Sequence, residues 1–147
     1  MTDSKQALQQ LLRRKNLKNT RSRQRIVDRI FAEEKHFTAD DLQEDLKSSD
    51  QSVSKATVYR TLSVLVEAGL VQEHDFGTGH KVYEVATDKA HHDHLYCLSC
   101  GSIHEFYDPL EAKIISKIAK ATDFEVRSHV LKIYGLCARC RAGGDHK

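Results

Sequence analysis

His91–Cys100 reads HHDHLYCLSC, and a second cysteine pair, Cys137–Cys140 in the run CARC, follows some forty residues later. The two CxxC pairs use all four cysteines of the chain. A CxxC turn lets two sulfurs face one ion, and two such turns are the usual way to build a tetrahedral thiolate cage for zinc. A structural zinc site of Cys97, Cys100, Cys137 and Cys140 is therefore expected, in preference to a redox pair or idle buried thiols. Such a site would tie a strand over His94–Cys97 to the C-terminal segment and add folding free energy directly.

The HHDH run places harder ligands beside that cage. An extended chain alternates its faces, so His92 and His94 point one way and His91 and Asp93 the other. One short strand can thus serve two sites. Single histidines usually fill ordinary hydrogen-bonding roles, so each face needs ligands from elsewhere. His36, Glu84 and Glu105 are candidates for the first face, and Glu111 and His129 for the second. Sets of imidazole and carboxylate without thiolate suit iron(II), manganese(II), or zinc(II) at a higher coordination number.

Upstream, the apolar spacing is helical. Ser4–Lys15 carries Ala7, Leu8, Leu11 and Leu12 on one face. Thr20 reads as the cap of a second helix bearing Ile26, Val27, Ile30 and Phe31. Thr38 caps a third, Ala39–Lys47, with Leu42 and Leu46 inward. Ser52 or Ser54 starts a fourth that ends at Gly69, a left-handed cap. The period then changes: Leu70–Asp75 and Lys81–Val85 are short extended runs around Gly77-Thr78-Gly79, which is hairpin chemistry. Short helices followed by a two-stranded wing predict a winged helix-turn-helix over 1–86. A hinge over 87–91 leads to a small α/β unit over 92–147, so the fold class is α+β. The second unit reads as strand His94–Cys97, knuckle, strand Ile103–Tyr107, helix Leu110–Ala121 and strand Glu125–Leu136. Its core would be thin alone, and a zinc staple and a partner subunit are the expected remedies.

Net charge is only +2 over 147 residues, but it is unevenly spread. Arg13, Arg14, Lys15, Lys18, Arg21, Arg23, Arg25 and Arg29 lie close together against a single Asp28. A block of this kind can neutralise phosphates or simply form a solvated face. In the fourth helix Val58, Leu62, Leu65 and Val66 belong to the core, while Thr57, Tyr59, Arg60 and Ser63 lie off that face. An exposed Tyr-Arg pair near the start of a reading helix is placed to meet base edges in a major groove. Apolar runs such as Val64–Val66 are far too short to cross a bilayer, and MTDSKQALQQ has no apolar signal core. The cytoplasm is the expected location, with no membrane association.

These residues together resemble the ferric uptake regulator family. The resemblance is carried by HFTADDL (36–42), ATVYRTLSVLVEAGLV (56–71), YE (83–84), HHDHLYCLSCG (91–101) and CARC (137–140), and runs from about Leu17 to Cys140. It implies a dimeric or higher-order, metal-dependent DNA-binding repressor with an N-terminal winged helix and a C-terminal dimerisation domain. Its partner would be a pseudo-palindromic AT-rich operator in double-stranded DNA. By position, the resemblance implies a sensing site of His36, Glu84, His92, His94 and Glu105. It also implies a second site of His91, Asp93, Glu111 and His129, with structural zinc on the four cysteines. Tyr59 and Arg60 match the family's major-groove readers, Thr57 stands beside them, and Lys18 matches its minor-groove lysine. Peroxide-sensing members tend to carry aspartate where Glu84 and Glu105 stand here. Zinc-sensing members often place a cysteine in the sensing site. Both points favour iron(II) as corepressor controlling iron uptake, with manganese(II) or zinc(II) as substitutes. A peroxide sensor, or a zinc- or manganese-responsive member, is the alternative. His80 departs from the family pattern; it reads as plain surface in preference to an extra ligand. An enzyme is not expected, because the thiolate set is closed and no HxE precedes a PCxxC.

Overall fold

The computed structural model describes residues 2–32, 36–49, 52–86 and 92–143. The hinge expected over 87–91, including His91, lies outside the described residues. The fold is α+β, with a helical N-terminal region and a β-rich C-terminal one, and the chain divides into two compact units, Met1–Asp88 and Lys89–Lys147.

The first unit contains α1 (Thr2–Arg14), α2 (Arg21–Ala32), β1 (Phe37–Thr38), α3 (Ala39–Ser48), α4 (Lys55–Glu67), β2 (Val71–Asp75) and β3 (Lys81–Val85). Helix starts follow local chemistry. The Thr20 hydroxyl accepts from the Arg23 N–H at 3.2 Å. Thr38 and Asp41 form a reciprocal capping box, and the Ser54 hydroxyl accepts from the Thr57 N–H. Each cap satisfies an amide that the helix itself leaves unpaired. Gly69, at φ +67°, ends α4 and turns the chain into β2. The apolar stripes then meet in one core that includes Leu11, Leu12, Ile26, Ile30, Leu42, Leu46, Val58, Leu62 and Leu65. Thr61 and Val64 are buried as well. The Thr61 hydroxyl donates to the Thr57 carbonyl at 2.8 Å, so its burial leaves the group satisfied.

The sheet of this unit has three strands, in the order β1-β3-β2, rather than the two expected. Two residues are too few to show a period of two, so β1 left no mark in the sequence pattern. It forms because the connection before α3 runs antiparallel to β3, pairing Phe37 with Tyr83 and Thr38 with Val82. Gly77 and Gly79, at φ +75° and +83°, make the β2–β3 hairpin loop.

The basic block is partly structural. Arg23 is buried, and its guanidinium donates to the Lys18 carbonyl. Arg29 pairs with Asp45 at 2.5 Å and Lys15 with Glu67 at 2.5 Å. Three of the eight cations thus make contacts within the unit, Arg23 to a turn and Arg29 and Lys15 to acidic partners, which narrows the phosphate-facing reading of the block.

The second unit contains β4 (Asp93–Cys97), β5 (Ile103–Phe106), α5 (Pro109–Thr122), β6 (Lys132–Gly135) and α6 (Ala138–Arg141). Strand order is β5-β4-β6, with β4 antiparallel to β5 and parallel to β6. The parallel pair requires a crossover, and α5 supplies it. This helix starts at the Asp108 cap followed by Pro109, and ends at Asp123 in the left-handed region, φ +51°. The strand expected over Glu125–Leu136 is only Lys132–Gly135. Ladder pairing, not alternation, defines a strand, and the partner strand β4 runs beside only these four residues. Among the described residues, Tyr96 and Cys97 are the buried apolar side chains of this unit.

Thr38→Ala removes the hydroxyl that accepts from Asp41 N–H at 3.1 Å and contacts the Asp41 carboxylate at 2.7 Å. The expected loss is about 1 kcal/mol of stability. It should appear in urea unfolding as a lower midpoint with an unchanged slope.

Candidate metal centres

The β4–β6 ladder builds the cysteine cluster. Cys97 ends β4 opposite Gly135 of β6, so both parallel strands deliver their CxxC turns to the same end of the sheet. The knuckle after β4 closes with Gly101 N–H on the Cys97 carbonyl at 2.9 Å, and Gly101 sits at φ +70°. Leu98 N–H on the Gly135 carbonyl at 2.8 Å ties that knuckle to β6. The four sulfurs all lie within 4.8 Å of one another, with Cys100 and Cys137 at 3.8 Å. Sulfurs about 2.3 Å from a central zinc define a tetrahedron with edges of about 3.8 Å. The cluster therefore fits such an ion.

Its electrostatics point the same way. The Cys137 and Cys100 backbone amides pull the Cys97 thiol down to about 5, and the Cys137 N–H donates to Cys97 Sγ at 3.3 Å. Cys137 is also lowered, chiefly by the Cys140 amide. At Cys140 the Ser99 hydrogen bond lowers the pKa, but burial and the neighbouring sulfurs outweigh it and push the thiol up to about 12. With Cys140 held protonated at neutral pH, a cation bound by all four sulfurs would release protons.

A second cluster also lies within this unit. Asp93 at the start of β4, Glu111 in the first turn of α5 and His129 before β6 bring ligand atoms within 4.8 Å. His129 Nε2 stands 3.4 Å from Glu111 Oε1. Asp93 is 1% exposed, and its Oδ1 accepts from Leu131 N–H at 3.3 Å, fastening the approach to β6. The fourth residue expected here, His91, lies outside the described residues. The alternation read from the sequence holds for the rest of the run. Asp93 joins this cluster, while the His92 and His94 rings meet edge to face at 5.1 Å. Glu105 of β5 pairs directly with His94.

In the first unit, His36 and Glu84 meet. Phe37 pairs with Tyr83, so His36 falls beside Glu84 on the same sheet face. Its Nε2 lies 3.0 Å from Glu84 Oε2. The opposite sheet face carries Val71 and Tyr83 into the core. A residue not anticipated from the sequence joins them: His74, whose Nε2 lies 2.7 Å from Glu84 Oε1. The signal was available in the hairpin. Its register pairs Gln72 with Glu84 and His74 with Val82, which puts His74 diagonal to Glu84 on one face. His80 is exposed in the loop before β3.

The residues singled out for DNA contact sit on the first unit. Tyr59 and Arg60 are exposed on α4, and Lys55 lies 6.0 Å over the Tyr59 ring. The Thr57 hydroxyl lies 2.8 Å from that of Ser54, so it helps cap α4. Lys18 is exposed in the α1–α2 connection.

Residues 14–134 match the family model described as the ferric uptake regulator family. A ferric uptake regulation protein of Campylobacter jejuni is 38% identical over 132 residues, which cover 88% of this chain and 83% of that protein. The Helicobacter pylori ferric uptake regulator, described as having three functional metal binding sites, matches with a TM-score of 0.86. Its identity is 26%, and the match covers 95% of this chain and 93% of that one. The Francisella tularensis ferric uptake regulator with iron matches with a TM-score of 0.80 at 31% identity, over 85% of this chain and 95% of that one. The chain belongs to the ferric uptake regulator family, whose members are metal-responsive DNA-binding repressors and not enzymes.

Proposed function

We propose that this protein is an iron(II)-dependent repressor of iron-uptake genes, with structural zinc on Cys97, Cys100, Cys137 and Cys140. One observation carries the choice of metal. All four cysteines gather in one cluster, so the remaining candidate ligands are imidazoles and carboxylates. That donor set suits iron(II), with manganese(II) or zinc(II) as substitutes. The Francisella tularensis relative with iron supports the same reading.

His36 and Glu84 of the first unit, with His92, His94 and Glu105 of the second, would hold the sensed ion. Asp93, Glu111 and His129, with His91, would form a second site inside the second unit. When bound, the cation supplies the charge and directional bonds that draw on ligands from both units. The ligands themselves set the response: they favour one arrangement of the DNA-binding units only by as much as they bind the ion better there. The first unit is read as a winged helix, with α4 as the reading helix and β2–β3 as the wing. Arg60 can bond guanine bidentately, Tyr59 can pack on a thymine methyl, and Lys18 can enter a minor groove. Thr57 joins them at the start of α4.

The partner is double-stranded DNA with a pseudo-palindromic, AT-rich operator, read by two copies of the chain in successive major grooves. Exposed Leu110, Ile114 and Ile118 on α5, with Val126 and Val130 beyond it, support a homodimer or higher oligomer, since that apolar surface is costly to leave in water. No helix among the described residues is long and apolar enough to cross a membrane, and a cytoplasmic location follows from the proposed role.

Cys97→Ser should lose the structural zinc, because opening the cage removes a ligand from a unit with little core. Elemental zinc counting and thermal unfolding test this; a zinc-loaded variant with wild-type melting would rule it out. Arg60→Ala should weaken operator binding by about 1–3 kcal/mol without changing metal content, as fluorescence anisotropy on operator DNA would read. The proposal itself is tested by operator titrations at buffered free iron(II), manganese(II) and zinc(II). His36→Ala should keep its structural zinc yet gain no DNA affinity with iron(II), while His129→Ala should have a milder effect and keep part of that gain. A normal iron(II) response in His36→Ala would overturn the sensing assignment.

A further inference from the structure

We propose that His74 is a positioning residue for the sensing site: it holds one oxygen of Glu84 so that the other faces His36 and a cation bound beside it. The inference rests on the reading of His36 and Glu84 as ligands. Its geometry lies entirely within the first unit. His74 Nε2–H donates to Glu84 Oε1 at 2.7 Å, while Glu84 Oε2 stands 3.0 Å from His36 Nε2. The two imidazole centroids are 6.4 Å apart and tilted by 54°. The rings thus engage different oxygens of one carboxylate and do not share a position.

The arrangement is stiff. His74 and Glu84 are 8% and 6% exposed, and both sit inside the β2–β3 ladder. The His74 ring also lies against Phe76, centroids 6.0 Å apart. A ligating carboxylate is commonly steadied by a hydrogen bond of its own, which fixes its orientation. Here that bond occupies Oε1 and leaves Oε2 as the oxygen that faces His36. Glu84 is thereby restricted to binding through one oxygen. A carboxylate released from His74 can rotate and chelate, taking two positions around the ion. His74 would therefore set both affinity and coordination number, on which discrimination among divalent ions depends.

The test uses the full chain loaded with zinc at its cysteine cluster and titrated with cobalt(II), whose visible d–d bands report coordination number. His74→Ala should bind cobalt(II) about 10–100-fold more weakly and show altered band intensity. His74→Gln, which keeps an N–H donor of similar reach, should restore both. Wild-type affinity and spectrum in His74→Ala would overturn the proposal. A measurement on the unmutated chain stands beside it, in case the variants do not fold. In imidazole nitrogen NMR with a second equivalent of zinc, His74 Nε2 should remain a protonated, hydrogen-bonded nitrogen. A metal-bound Nε2 signal would overturn the proposal by making His74 a ligand. Failure of the underlying reading looks different: His36→Ala would then bind cobalt(II) as wild type does, whatever happens at His74.

Discussion

The C-terminal unit depends on the parallel pairing of β4 with β6. Parallel strands finish at the same end of a sheet, and here both run on into CxxC turns. Cys97 opposite Gly135 is therefore the pairing that assembles four sulfurs from sequence positions far apart. The same ladder needs α5 as its crossover, which brings Glu111 toward Asp93 and His129. One register thus organises both clusters of this unit. With so little buried apolar surface among the described residues, ion binding would weigh heavily in its stability.

The N-terminal unit solves a different problem. Its sheet gives one face to a conventional apolar core and leaves the other for polar chemistry. Tyr83 and Glu84 are neighbours in β3, yet the pleat sends Tyr83 into the core and Glu84 to the opposite face. His74 comes to that face from β2, and His36 from the position just before β1 on the other side. A buried carboxylate needs partners, and two imidazoles provide them. The same burial that would penalise an isolated charge keeps these groups in fixed orientation.

Charge in the first unit divides by role. Arg23 fastens the turn before α2 through the Lys18 carbonyl, Arg29 bridges α2 to α3 and Lys15 bridges α1 to α4. Counting cations in the sequence therefore overstates what is available to phosphate. Tyr59 and Arg60 remain exposed on α4 because Val58, Thr61, Leu62 and Leu65 commit the other face to the core.

Much of this was legible in the residues themselves. Helix starts at Thr20, Thr38 and Ser54, the left-handed Gly69 and the Gly77–Gly79 hairpin are local, and local chemistry specifies them. The alternation of His92, Asp93 and His94 follows from the geometry of any extended chain, and so does their division between two faces. Contacts between distant segments were not legible. β1 is too short to show a pattern, and the Glu125–Leu136 alternation extends beyond the four residues that find a partner strand. His74 was missed because its meaning lies in a diagonal across a hairpin. The sequence by itself determined the helix starts, the hairpin and most of the residues that could ligate a metal, because caps, turns and side-chain periods act within a few residues. Only the tertiary structure decided which of those residues meet, because register and crossover are set by packing between segments far apart in the chain.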